Sequence, residues 1–391
     1  MDQTFDSAIQ RDSVPFRHDI VGSFLRPQPI IEARKKFAKG ELLPEALKDI
    51  EDEEITRLVK KEIAVGLKAV TDGEFRRSWW HLDFMWGLDG VEKSDNTKGY
   101  QFKDSKTRAE TACLSGKIRF GAHPFLEHYQ FLKEAAGDSA IARQSIPAPA
   151  QFLSELQRPE NIDATKKFYP TIEELVEDIA KAYREAVQAF YQLGCRNLQF
   201  DDCTWGMMCD KNYMRAKLGA DYNLDATKGL YVQLNNKALE GRPKDMVLTT
   251  HVCRGNFRST WAASGGYEPV ADTLFGKQNV DAYYLEFDTE RAGDFSPLRF
   301  VSDDKLIVLG LFSSKSGELE DKNTIFNRIK EATRYIPINR LCISPQCGFA
   351  STEEGNILSE EQQWNKLRFI KAIADEIWRE NSNKTRKDKK R

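Results

Sequence analysis

The densest chemistry in this 391-residue chain lies at His251-Val252-Cys253. The residues before it, Met246-Val247-Leu248-Thr249-Thr250, are apolar or β-branched and read as a buried parallel strand. In an extended segment, side chains two apart point the same way. An imidazole and a thiol therefore leave the end of one strand on one face, giving two borderline-soft donors for a zinc ion. Two later strand ends offer the rest: Glu286 in Tyr284-Leu285-Glu286-Phe287, and Cys347 in Ser344-Pro345-Gln346-Cys347-Gly348. The expected site is Zn2+ held by His251, Cys253, Glu286 and Cys347, activating a thiol substrate. A free thiol has a pKa of roughly 8.5, so little thiolate exists at neutral pH. Binding the sulfur to zinc releases its proton and keeps it nucleophilic.

Each residue also has a plainer reading. Cys253 and Cys347 could be ordinary buried cysteines. His251 could be a hydrogen-bonded core histidine, and Glu286 could pair with Arg291 or Arg254. Asp201 and Asp202 could cap the turn that follows them. Cys113, Cys195, Cys203, Cys209 and Cys342 read as structural, and His81, His123 and His128 have no visible partner. What favours the metal is position. Ser23, Glu74, Asp201, His251, Glu286 and Cys347 each fall at or just past the C-terminal end of an expected strand.

The elements that must position them alternate. Strands are expected at 18–24, 68–75, 140–147, 197–202, 246–252, 282–287, 305–311 and 340–345. Among the helices between them, Pro44–Gly66 and Pro170–Leu193 carry apolar stripes at helical spacing, and the last spans Glu360 to about Arg379. Each strand is a continuous apolar run, as when both faces are covered. The pattern predicts an α/β chain folded as a (β/α)8 TIM-type barrel over 18–381, whose strand ends converge on one face. Residues 76–125 break the rhythm and read as an inserted excursion after the second strand, with a β-hairpin. Residues 1–17 read as a loose polar lead, and 382–391 as a basic, disordered tail. A doubly wound sheet is the alternative, but neither Gly-x-Gly-x-x-Gly after the first strand nor a P-loop is present.

Composition narrows the partners. Lys and Arg total 58 against 60 Asp and Glu, a formal net charge of −2, so nothing recommends nucleic acid or an anionic membrane. No apolar run approaches a membrane span, and no signal peptide is visible. Seven dispersed cysteines suit free thiols in a reducing cytoplasm.

Five segments together resemble the catalytic, zinc-binding barrel of the cobalamin-independent methionine synthases. They are Ile20-Val21-Gly22-Ser23-Phe24, Thr71-Asp72-Gly73-Glu74-Phe75, Gln199-Phe200-Asp201-Asp202, His251-Val252-Cys253 and Ser344-Pro345-Gln346-Cys347-Gly348. The resemblance implies a methyltransferase that moves a methyl group to the thiol of homocysteine, giving methionine. It implies Ser23 at the amino acid's carboxylate, and Glu74 and Asp201 at its ammonium group. Charge supports that pairing independently, since a zwitterion needs an anion near its ammonium and donors near its carboxylate. Two departures stand out. The long synthases carry a further N-terminal barrel that helps bind folate, and 391 residues leave no room for it. Where the family has a catalytic histidine after the seventh strand, this chain has Lys315, a cation or general acid but not an equivalent proton relay. The methyl donor is therefore open between a folate, a corrinoid protein and another methyl compound. Alkyl transfer to a different thiol, and a non-catalytic zinc-bound regulatory role, are the alternatives.

Overall fold

The computed structural model describes residue 5 and residues 7–95, 98–219 and 221–378. Ten strands are assigned in it: β1 (Ala69–Val70), β2 (Asp89–Asp95), β3 (Glu110–Arg119), β4 (Ile141–Ala142), β5 (Gln144–Pro147), β6 (Asn197–Asp202), β7 (Val247–Val252), β8 (Ala282–Glu286), β9 (Leu306–Phe312) and β10 (Leu341–Pro345). β5 to β10 form one parallel sheet in chain order. β4 pairs in parallel with β1. The circle closes through residues 17–24, which run beside β10 by a parallel bridge from His18 to Ile343 and beside the β1 end through Phe24 N–H to the Gly73 carbonyl (3.1 Å). The result is a (β/α)8 TIM-type barrel with an excursion after its second strand.

Three expected strands are cut short: 18–24 keeps a single bridge at His18, 68–75 keeps only Ala69–Val70, and a buried guanidinium splits the third. The stretch 140–147 is split at Arg143 into β4 and β5, which pair on opposite sides. Arg143 is 1% exposed. It donates to the Ile20 carbonyl at 2.5 Å and to Asp19 Oδ1 at 2.6 Å. Tyr284 Oη joins the same network, 2.9 Å from Asp19 Oδ2 and 3.0 Å from Arg143 Nη2. Gln199 Nε2 takes the Val21 carbonyl at 2.7 Å. Carbonyls of the first strand are thus satisfied by side chains, and little ladder remains to be made there.

The helices follow their local signals. Ile172–Gln192 starts at Thr171, whose hydroxyl accepts from Glu174 N–H, and buries Leu175, Ile179, Ala182, Ala186 and Phe190. Ser359 and Gln362 form a capping box at the head of Glu360–Ile377. In the excursion, β2 and β3 form the expected antiparallel hairpin. Between these two strands, Lys103 N–H donates to the Trp261 carbonyl (2.9 Å), in the segment that follows β7.

The expected loose lead is a correction within the described residues. Val14 and Phe16 are buried, as is Arg17, which donates to the carbonyls of Ile9 (2.9 Å) and Leu341 (2.8 Å). A guanidinium that finds several backbone acceptors secures a segment that has no periodic pattern of its own. The basic tail, 382–391, lies outside the described residues. Among the described residues no helix is long and apolar enough to cross a membrane.

Breaking a buried ion pair from one side leaves an uncompensated charge. Asp19→Ala is therefore expected to destabilise the protein by about 3–5 kcal/mol in urea denaturation. A loss under about 1 kcal/mol would mean that the Arg143 network does not hold the barrel together.

Candidate metal centre

Strand register brings the donors together. Asp201 on β6 pairs with His251 on β7, and His251 with Tyr284 on β8. Side chains at paired positions share a face, so Asp201 and His251 both point into the barrel, and Glu286, two beyond Tyr284, points with them. Cys253 follows β7 directly, tied by its N–H to the Asp202 carbonyl (3.1 Å). Cys347 arrives through an irregularity. The β9–β10 register shifts between Ser344 and Pro345, and such a bulge re-aims the residues after it. Gly348 is needed next, because a Cβ there would lie 1.9 Å from Ser23 Oγ.

The outcome is a buried cluster of His251, Cys253, Glu286 and Cys347 whose ligand atoms all lie within 4.8 Å of one another. The two sulfurs are 3.7 Å apart. Tetrahedral zinc with bonds to sulfur of about 2.3 Å would hold two thiolates roughly 3.8 Å apart. Two thiols, an imidazole and a carboxylate also form a donor set that zinc accepts. The residues therefore fit such an ion without rearrangement of the pair.

Surrounding groups fix each donor. The His251 ring has acceptors at both nitrogens, the Gln346 carbonyl 3.1 Å from Nε2 and Asp201 Oδ1 3.5 Å from Nδ1. Whichever nitrogen faces the sulfurs, the other can be held, as is usual for a metal-binding imidazole. Burial works against a charged His251, but Asp201, Cys347 and Glu286 together raise its pKa to about 9. Glu286 is held from behind: Oε2 lies 2.9 Å from Arg291 Nη2, and Oε1 accepts from Arg254 N–H at 3.2 Å. Burial alone would raise its pKa, but Arg291, Lys315, Arg254 and His251 bring it down to about 2. The Cys347 thiol is pushed well above its ordinary range by its hydrogen bond with Cys253 and by burial. Two such thiols ionise together only beside a concentrated positive charge, which a divalent cation supplies.

The cluster forms one end of a cavity of about 540 Å³, onto which His251, Cys253 and Cys347 open. Ser23, Glu74 and Asp201 line the same cavity. Ser23 Oγ accepts from Ala350 N–H at 3.2 Å. Glu74 has φ 59, after Gly73 at φ 64; a side chain in this left-handed turn is strained, and such strain gathers at functional sites. Glu74 Oε1 lies 3.5 Å from both Arg77 Nη1 and Ser145 Oγ. Lys315 sits apart. It is not on the cavity wall, and its buried Nζ has no hydrogen-bond partner among the described residues.

Residues 169–364 match the family model of the catalytic domain of cobalamin-independent synthases. The chain belongs to that family. An uncharacterized Bacillus subtilis protein, YxjH, is 50% identical over 370 residues, 93% of this chain and 95% of that one. The 5-methyltetrahydropteroyltriglutamate–homocysteine methyltransferase of Bifidobacterium longum subsp. infantis is 22% identical over 366 residues, covering 91% of this chain but 42% of that protein. A solved structure from Listeria monocytogenes, provisionally described as a vitamin-B12-independent methionine synthase, is 40% identical. It superposes with a TM-score of 0.74, over 95% of this chain and all of that one.

In this synthase-family barrel Glu286 pairs with the Arg291 guanidinium and accepts from the Arg254 backbone N–H, so the plainer reading of that carboxylate and its place in the cluster hold together. Two further residues escaped the sequence reading. Cys203, taken as structural, packs against Cys253 and Cys347 beside Trp80 and Met207. His81 lines the cavity, stacked 4.5 Å from Trp80 and 3.1 Å from Tyr100 Oη. The available signals were slight: Cys203 follows a strand-end Asp201-Asp202, and His81 follows Trp79-Trp80.

Metal analysis of the purified protein is expected to find about one thiophilic divalent ion per chain, and Cys347→Ser to lose most of it. Full retention by the variant would remove Cys347 from the centre.

Proposed function

We propose that the protein is a zinc-dependent methyltransferase that moves a methyl group to the sulfur of homocysteine. The observation that carries this reading is the buried His251–Cys253–Glu286–Cys347 cluster opening onto a cavity that also presents two carboxylates and a hydroxyl. His251, Cys253, Glu286 and Cys347 would hold the ion. Bound there, zinc supplies the charge that lets a substrate thiol lose its proton near neutral pH.

The remaining work falls to the chain. Asp201 and Glu74 attract the substrate's ammonium group, while Ser23 and nearby N–H groups take its carboxylate. A thiol without an ammonium group would leave Glu74 Oε2, a buried atom with no hydrogen-bond partner among the described residues, still unmatched, which favours an amino-acid acceptor over other thiols. Two thiolates and a carboxylate around a divalent ion leave one negative charge. Lys315, whose charge acts on both Glu286 and Cys347, is placed to offset it. We assign Lys315 to charge balance behind the metal rather than to direct work on the methyl donor.

The direct test incubates the protein with homocysteine and a panel of donors, a methylated folate, a methylated corrinoid and simple methyl compounds, and measures methionine by mass spectrometry. Methionine formed from at least one donor supports the reading. A protein that binds zinc and homocysteine yet methylates with none of them argues for a regulatory role.

The acids give a second test. Burial, the largest influence, raises the Glu74 pKa; Arg77 opposes it, Asp201 reinforces it, and the value reaches about 7. Below that pH Glu74 is neutral and attracts an ammonium group weakly; above it the carboxylate is charged. Methionine has no thiol proton to confuse the measurement. Its affinity is expected to rise by up to about tenfold between pH 6 and 8, and Glu74→Gln should flatten that rise in calorimetric titrations. An unchanged slope in the variant would reject the pairing.

A further inference from the structure

Among the described residues, three that line the cavity hold a buried polar atom without a hydrogen-bond partner: Glu74 Oε2, His81 Nδ1 and Asn256 Oδ1. Glu74 is already assigned to the acceptor's ammonium group. Asn256 is tied to the loop after Cys347, its Nδ2 donating to the Gly348 carbonyl (2.8 Å) and to Ser351 Oγ (3.1 Å). His81 alone of the three belongs to the excursion. Trp80, the residue before it, donates its backbone N–H to the Ser351 carbonyl (2.9 Å) and packs against the cysteines. The His81 ring lies 4.5 Å from the Trp80 ring, and its Nε2 lies 3.1 Å from Tyr100 Oη. The imidazole is 3% exposed, so it is held by a ring and a hydroxyl while one nitrogen stays unmatched. A buried, unpaired nitrogen costs free energy and calls for a reason.

Its surroundings narrow what would pair with it. Burial, with a smaller push from Arg158, lowers the His81 pKa to about 3. The ring is therefore neutral near pH 7 and offers a hydrogen bond but no charge. Methyl groups on a sulfonium or quaternary ammonium centre are recognised by open aromatic faces, and they bring nothing that pairs with a ring nitrogen. Two rings of this wall already carry a cation: Arg158 Cζ lies 4.2 Å from the centre of the Tyr100 ring, and Arg108 Cζ lies 5.0 Å from that of Trp79. What remains on offer is flat apolar surface and one hydrogen-bonding position.

We propose that His81 is the specificity-determining contact for the methyl donor, its Nδ1 pairing with a hydrogen-bonding group on a flat, uncharged donor laid along the rings of the excursion. This rests on the methyl-transfer reading given above. Glu74, Asp201 and Ser23 meet the polar groups of the amino-acid acceptor, so His81 is left for the second reactant. The contact selects and orients that reactant; it moves no proton and forms no bond to the methyl group.

Two substitutions separate this role from mere support of Tyr100. In His81→Asn the amide sits where Nδ1 does but stops short of Tyr100. In His81→Gln it reaches the place of Nε2 and leaves that of Nδ1 empty. Calorimetric titration of the metal-loaded proteins with 5-methyltetrahydrofolate should find His81→Asn within about threefold of the wild-type affinity and His81→Gln about tenfold weaker. Homocysteine affinity should be unchanged in both, and trimethylsulfonium should not displace the folate. A ring that only supported Tyr100 would give the reverse order, because glutamine alone keeps that bond. The reverse order, equal folate affinity in the two variants, or displacement by trimethylsulfonium would overturn the proposal, as would a wild-type protein that binds homocysteine but not the folate. A wild-type protein that binds no homocysteine would instead overturn the methyl-transfer reading, and this proposal with it.

Discussion

Two buried sulfur atoms 3.7 Å apart at the wall of the cavity set the terms for the rest of this molecule. They come from residues 94 positions apart in the chain, and neither can ionise there unaided. Everything around them answers that constraint. Arg291 and the Arg254 N–H hold the adjoining carboxylate from behind, so the anionic side chain is partnered before any ion arrives. Lys315 adds a buried, unshared positive charge. A site assembled in this way is costly to keep as bare thiolates and favourable to keep as a metal centre, which makes the donor set itself an argument for a cation.

Bringing those sulfurs together depends on closing the barrel. The last strand must lie beside the first, and the first has few ladder hydrogen bonds to offer. The buried Asp19–Arg143–Tyr284 network takes over that task, joining the first, third and sixth strands through side chains. The barrel is therefore fastened by a polar group in its interior rather than by an unbroken ring of backbone bonds. Such a group must be fully paired to be tolerated, and its rigidity passes upward through β8. Tyr284 anchors one end of that network and stands two residues before Glu286.

How far this could be read from the sequence follows from what each residue needed. The alternation of apolar strands and capped helices is local information, and it led to the barrel. Strand-end parity is also local, and it put Ser23, Glu74, Asp201, His251, Glu286 and Cys347 on one face before any contact was known. The split at Arg143 was not legible, because it depends on an acid 124 positions away. Residues 7–17 misled for a related reason: a polar, aperiodic segment looks loose until the acceptors for its arginine are known. Cys203 was hidden by its own plainness, since a buried cysteine is most often only packing; its place in one packed group with Cys253 and Cys347 depends on the fold.

The excursion at 76–125 was legible as an interruption but not as a wall. Its aromatic residues Trp80, Tyr100 and Phe102 line the cavity together with His81. The same cavity thus holds charged and hydroxyl groups and flat apolar rings, and one ring, Trp80, packs against the sulfurs themselves. A single small amino acid satisfies only the polar groups. On the reading proposed above, the rings are where the methyl donor would lie, with a flat or apolar face toward them. His81 sharpens the point. Its Nδ1 is buried without a partner among the described residues, and desolvation lowers its pKa to about 3, so it meets a ligand as a neutral imidazole. Here the inserted excursion supplies part of the cavity wall. A donor bound in this cavity would approach the sulfurs from the side onto which Cys253 and Cys347 open.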